Sequence, residues 1–208
     1  RGTKNFLNVI DDIDFVPTPV EPALGCDGCE VHRGFLSGWA EVRGAIGAAL
    51  GRLGCGNSTV ALTGHSMGAA MAMLAAREFA AGKNWTLARV YTFGQPRTGN
   101  AAFVRATEAL LQARGVAMFR VVDVRDPVPH LPLRDMFGEG WVHSVPEIYY
   151  SRTARGSFVR CDNATSPTCS YQWSLFGTVV HGCDHCSYLG MNPCNCGATK
   201  PGCEDDGH

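Results

Sequence analysis

Long apolar runs are missing from this 208-residue chain. No stretch approaches the roughly 18 apolar residues that a bilayer-spanning helix requires, so no transmembrane segment is expected. Charge imbalance is missing as well. Eighteen basic residues against 19 acidic ones leave a formal charge of -1, and no block of like charges interrupts the mixture. Without a basic face there is little to attract nucleic acid or an anionic membrane surface, and neither is expected as a partner. No segment resembles a signal peptide, and no internal repeat divides the chain. With 45% hydrophobic content, residues 1–208 are expected to form one domain around one core.

Cysteine, by contrast, is plentiful. Ten Cys are more than a reducing compartment favours and suit an oxidising one. Three acceptor sequons begin at Asn57, Asn84 and Asn163, and they point to glycosylation and secretion.

Apolar spacing supplies the architecture. Phe35, Trp39, Val42, Ile46, Leu50 and Leu53 fall on one helical face ending near Gly54, a helix expected to pack on a sheet. Residues 59–63 read as a short buried strand, and an Ala-rich helix follows over about 69–81. A second strand covers 89–93, a helix through Phe103, Ala106, Leu110 and Ala113 stops at Gly115, and a third strand covers 116–124. This alternation predicts an α/β fold with a mostly parallel central sheet and helices on both faces, its ligands gathering at the carboxyl ends of the strands. Beyond Asp126 the pattern loosens, and the tail 183–208 reads as stapled loop.

Between the first strand and the Ala-rich helix lies Gly64-His65-Ser66-Met67-Gly68. A serine hydroxyl needs a base to take its proton and a backbone that holds it clear of the surface. Gly-x-Ser-x-Gly meets the second need, because small residues let a strand turn sharply into a helix with Ser at the corner. The helix amino terminus then offers N–H groups to a developing oxyanion. Ser66 is therefore the candidate nucleophile. For the base, His65 reads as a turn residue and His32 precedes the nucleophile, which leaves His130, His143, His181, His185 and His208. For the orienting acid, Asp126 and Asp123 compete at the end of the third strand.

Six segments together resemble the class 3 lipases, secreted fungal triacylglycerol lipases and their feruloyl esterase relatives, which share the α/β-hydrolase fold. They are Arg1-Gly2-Thr3, Val31-His32-Arg33-Gly34-Phe35, Thr63-Gly64-His65-Ser66-Met67-Gly68, Tyr91-Thr92-Phe93-Gly94-Gln95-Pro96-Arg97, Asp126-Pro127-Val128-Pro129-His130-Leu131-Pro132 and Asp184-His185-Cys186-Ser187-Tyr188-Leu189-Gly190. The resemblance implies a triad of Ser66, Asp126 and His185, with an oxyanion hole from Thr3 and the backbone N–H of Met67; His143 resembles a structural His. It also implies that the amino-terminal part of the family fold is missing before Arg1.

Residues 4–15 would form the lid near the amino terminus. Phe6, Leu7, Val9, Ile10 and Ile13 make an apolar stripe opposite Lys4, Asn5, Asn8, Asp11, Asp12 and Asp14, a pattern that also fits an ordinary surface helix. By resemblance it covers the site in water and moves aside at a lipid–water interface, and its apolar content favours long-chain acylglycerols over a feruloyl ester; a feruloyl or other polar ester, a phospholipid or a galactolipid is the alternative substrate. The expected protein is a monomeric, extracellular lipase with no cofactor and no metal. The contrasting reading is a catalytically silent, disulfide-rich binding protein or broken fragment that keeps the family's fold signals.

Cys26-x-x-Cys29, Cys183-x-x-Cys186 and Cys194-x-Cys196 could each be half a zinc site completed by His181 or His208. Disulfides are the preferred reading. The resemblance implies a Cys26–Cys29 bridge, Cys161 is expected to pair with Cys169, and Cys183 and Cys186 bracket His185, which suggests that a disulfide braces the loop of that histidine.

Overall fold

A computed structural model of the chain describes residues 15–20, 26–55, 58–82, 85–138, 140–151 and 157–194. Among them, two sheets form. The larger contains β3 (Thr59–His65), β4 (Thr86–Phe93), β6 (Ala117–Asp123), β8 (Glu147–Tyr150) and β9 (Phe158–Cys161), in that spatial order. It is parallel from β3 to β8, and β9 returns antiparallel along β8. A smaller antiparallel sheet joins β1 (Pro17–Pro19), β2 (Glu30–His32), β5 (Gly99–Asn100) and β7 (Trp141–Val142).

Three long helices connect these strands: α1 (Arg33–Arg52), α2 (Met67–Ala81) and α3 (Ala101–Ala113). Alanine gives α2 high helix propensity and a thin profile, so it lies closely over β3 and β4 with α1 and α3 at its flanks. Its Met73, Leu74 and Phe79 join Phe35 and Trp39 of α1, Val90 of β4 and Phe103 of α3 in one buried core. Each such side chain contributes about 1.5–3 kcal/mol through burial. Trp39 keeps its indole N–H satisfied inside this core by donating to Glu78 at 2.7 Å. Asn100 caps α3 by accepting the Phe103 N–H at 3.0 Å.

Two expectations change. The helix expected to lie on the sheet, α1, packs chiefly on α2, and only the first part of its stripe is buried; Val42, Ile46 and Leu53 are exposed. The region beyond Asp126 is also more ordered than its pattern predicts. Strands β7, β8 and β9 are only 2, 4 and 4 residues long, too short for a periodic signal to stand out. Their stability comes from tertiary bonds. Buried Arg120 of β6 pairs with Glu147 of β8, and Glu147 also accepts from the Ser170 N–H at 2.8 Å and hydroxyl at 3.0 Å. That network brings the turn at 170–172 back onto the sheet.

Candidate active site

Ser66 occupies the one-residue junction between β3 and α2, with φ 59° and ψ -130°. A non-glycine residue with positive φ is strained, and such strain persists where surrounding structure enforces it. Here the Ser66 N–H donates to the Phe93 carbonyl of β4 at 3.0 Å. The reversal brings β3 against α2 so closely that a Cβ on Gly64 would overlap the Gly68 carbonyl group, whereas a Cβ on Gly68 would meet open space. Close approach thus requires a glycine at 64 and not at 68. Serine commonly caps a helix, yet the Ser66 side chain makes no capping bond to α2. The N–H groups of Met67 and Gly68 stand in the first turn, where a helix provides no acceptor.

Asp126 follows β6 after a turn in which Val124 has φ 36°, a left-handed conformation that a β-branched residue adopts only under constraint. Its carboxylate is fully buried. It accepts from His185 Nδ1 at 2.9 and 3.0 Å, from the Val128 N–H at 2.8 Å and from the Tyr188 hydroxyl. Burial by itself would raise the carboxyl pKa, but the His185 charge and these donors outweigh it and hold the group below its ordinary value. Burial and the Asp126 charge push the Tyr188 phenol well above its own, so it stays a donor. With Nδ1 turned to Asp126, Nε2 is the ring nitrogen of His185 on the far side from that carboxylate.

Gly94 joins this pair to the serine corner. It follows Phe93, whose carbonyl holds the Ser66 N–H, and it has φ +55°. A Cβ there would stand 2.6 Å from Asp126 Oδ2 and 2.9 Å from His185 Nδ1 and Cε1. His65 approaches from the other side, its ring 4.4 Å from that of His185 and its Nε2 donating to the His185 carbonyl at 2.7 Å. Burial, with the neighbouring His185, lowers the His65 pKa to about 4, so at neutral pH it is an uncharged prop for the neighbouring imidazole. Reading it as a turn residue missed this contact, which spans 120 positions. Tyr188 and Gly94 stood inside recognisable motifs, but nothing in their spacing declared their contacts.

Other candidates fall elsewhere. His130 is buried, and burial plus Arg97 bring its pKa to about 4. His143 donates through Nε2 to the Pro129 carbonyl at 2.6 Å, and burial holds it well below its ordinary value. Arg97 donates to the carbonyls of His130 and Pro132, both at 2.6 Å, so the Gly94–Arg97 and Asp126–Pro132 motifs meet and the loop after Asp126 is clamped. A cavity of about 480 Å³ opens beside this clamp, lined by Arg97, His130, Leu133, Arg134, Asp135, Met136 and Leu175. It does not include Ser66 or His185.

Thr3 and the lid stripe Phe6, Leu7, Val9, Ile10 and Ile13 lie outside the described residues, as do Asn57, Asn84 and His208. Asn163 is described and exposed. Cys26–Cys29 and Cys161–Cys169 are disulfides as expected, which removes Cys26 and Cys29 from any zinc set. On either side of His185, Cys186 pairs with Cys194 and Cys183 is bonded to another cysteine. The 3-10 turn over Asp184–Cys186 sends Cys186 toward the following loop, which returns to it through the Tyr188–Met191 bridge.

The family model for lipase (class 3) matches residues 1–136. The chain belongs to the class 3 lipase family. Ser66 and Asp126 fall within the matched stretch, and His185 lies beyond it. Among relatives of this class 3 lipase chain, the secreted mono- and diacylglycerol lipase A of Penicillium cyclopium is 40% identical over 151 residues, covering 72% of this chain and 46% of the relative. The lipase of Rhizomucor miehei is 33% identical over 198 residues, covering 92% and 51%. The chain thus spans about half the length of these curated relatives. In three dimensions it resembles the mono- and diacylglycerol lipase from Aspergillus oryzae, with a TM-score of 0.74, 27% identity and coverage of 94% of this chain and 71% of that one. The native propeptide complex of the Rhizomucor miehei lipase gives a TM-score of 0.71 at 32% identity, covering 94% and 61%. The fold is that of an α/β-hydrolase with a mostly parallel sheet.

Proposed function

We propose that this class 3 lipase chain is a secreted serine ester hydrolase acting on acylglycerols. The observation that carries the reading is the buried Asp126–His185 pair packed against Gly94, next to the carbonyl that holds the Ser66 corner. In the proposed cycle His185 Nε2 takes the Ser66 proton as Oγ attacks the ester carbonyl carbon. The Met67 N–H, joined by Thr3, stabilises the resulting oxyanion. Collapse breaks the ester C–O bond, and the leaving alkoxide takes the proton from His185. Water, deprotonated by His185, then attacks the acyl-enzyme and releases the carboxylic acid and free Ser66. Asp126 keeps the imidazole in the productive tautomer throughout.

Acylglycerols are favoured because the named relatives include secreted mono- and diacylglycerol lipases and because residues 4–15 have the composition of an interfacial lid. Three disulfides among the described residues, together with those names, support an oxidising, extracellular setting. The exposed Asn163 is the proposed acceptor for glycan among the described sequons.

A fluorophosphonate probe should label the purified protein and leave Ser66→Ala unlabelled; folded protein that resists the probe would overturn the hydrolase reading. Hydrolysis of emulsified diolein and triolein should exceed that of methyl ferulate. The opposite order would replace the lipid substrate with a polar ester while keeping the chemistry.

A further inference from the structure

The turn that carries Asp126 has three backbone N–H groups, at positions 124, 125 and 126, and each goes to a different place. Val124 donates to the Tyr150 carbonyl of β8 at 2.9 Å, which fastens the turn to the sheet. Asp126 donates to the Asp123 carbonyl at 3.0 Å, which closes the turn on itself. The middle one, Arg125, donates at 3.1 Å to the carboxylate of Asp184, the residue immediately before His185. Asp184 is 1% exposed. A carboxylate so far from water is costly unless donors hold it, and a charged acceptor makes a stronger bond to a backbone N–H than a neutral one.

The Arg125 side chain reaches the same segment. Its guanidinium stacks over Trp173 at 4.2 Å from the ring centroid and donates to His181 Nε2 at 2.9 Å. Trp173 is held in turn by donating to the Tyr149 hydroxyl of β8 at 2.9 Å. Arg125 is thus bound by main chain and side chain to a segment that also reaches the sheet through the Trp173–Tyr149 and Ser170–Glu147 bonds, while its neighbour Asp126 receives the His185 Nδ1 bond.

The geometry points to Asp184 as a positioning residue that clasps the turn of the acid to the turn of the base through the Arg125 N–H, so that Asp126 and His185 move as one body. This rests on the assignment of Asp126 and His185 proposed above. The strained Val124 gives the clasp its purpose. A turn held in the left-handed region relaxes when a restraint is removed, and relaxation here would displace the Asp126 carboxylate. Misplacing a reacting group by about 1 Å is enough to cost on the order of 100-fold in rate. Asp184 touches neither Ser66 nor the scissile bond in this scheme, so its loss should lower kcat and leave substrate binding alone.

The test uses the purified protein with a soluble short-chain ester and, separately, the rate of fluorophosphonate labelling. Asp184→Ala should lower kcat and the labelling rate in parallel by about 30- to 100-fold, with KM within about twofold. Asp184→Asn retains an oxygen that can accept the Arg125 N–H and should recover most of the rate. Arg125→Ala keeps the N–H and loses only the Trp173 and His181 contacts, so its loss should be smaller, near tenfold. It also serves if the alanine variant at 184 does not fold. The clasp is overturned if Asp184→Ala keeps wild-type kcat, if the asparagine variant is as slow as the alanine one, or if the loss falls in KM. Wild-type protein that fails to label at all would instead overturn the underlying assignment.

Discussion

The two halves of the candidate site are built by opposite means. From residue 59 to 93 the chain runs strand, corner, helix, strand, and the strained Ser66 is held by neighbours close in sequence and by adjacent parallel strands. From 124 to 194 it is mostly turns and short pieces, and its key bonds are long-range: His185 reaches Asp126 across 59 positions, and Tyr188 reaches it across 62. The first half is a rigid corner whose geometry follows from backbone sterics. The second is a set of loops held by buried charge, a stacked guanidinium and disulfides. A nucleophile can be placed by local chain geometry, whereas an acid and base brought from separate segments need a tertiary frame.

The sharpest way to break the first half without touching the second is Gly64→Ala. The added methyl would overlap backbone atoms of Gly68 that cannot move without separating β3 from α2. Unfolding in urea should show a loss of about 3 kcal/mol or more. Gly68→Ala is its control, because it meets open space and trades a helix glycine for alanine, so stability should rise by about 0.5–1 kcal/mol. Equal effects at the two glycines would mean that the close strand–helix approach is not what constrains the motif.

Gly94→Ala attacks the seam between the halves. Its methyl would press on Asp126 and His185, and the positive φ adds backbone strain. Hydrolysis of a soluble ester should drop about 100-fold, near 2.7 kcal/mol of barrier, with the Ser66 corner preserved. Near-normal kcat in this variant would show that the pair is not seated as tightly as the distances imply.

Tyr188→Phe is the mildest probe and touches only the second half. It removes one donor from the Asp126 carboxylate and should cost about 1.5 kcal/mol of stability at neutral pH. The sign of its pH dependence follows from the lowered carboxyl pKa of folded Asp126. A carboxyl depressed in the native state stabilises it above the unfolded value, about pH 4, and that stability is lost as pH falls through the lower folded value. Removing the Tyr188 donor raises the folded value, so acid unfolding should begin at higher pH than in the wild type. An unchanged acid midpoint would show that Tyr188 does not help hold the charge.

Periodicity and composition made much of the fold legible. The spans of α1, α2 and α3 and the three parallel strands around Ser66 were readable because each places enough apolar residues in register to reveal its period. Strands of 2 to 4 residues carry no such signal, so β7, β8 and β9 were lost in the loosened pattern after Asp126. Val124 gave no warning either, since a β-branched residue is the last type expected at positive φ.

The residue order by itself determined the Ser66 corner: small residues flanking the serine, a β-forming run before it and an Ala-rich helix after it leave the backbone few ways to turn. It could not choose between Asp123 and Asp126, and family resemblance was needed to name Asp126 and His185. What only the tertiary structure decided is how those two are held. The carboxylate is ringed by Val128, His185 and Tyr188, His65 lies against the imidazole, and Asp184 reaches across to the turn of Asp126. Local sterics act over a few residues and are written in the chain. Burying a charge with its donors depends on which distant segments the core brings together, and no spacing along the sequence encodes that.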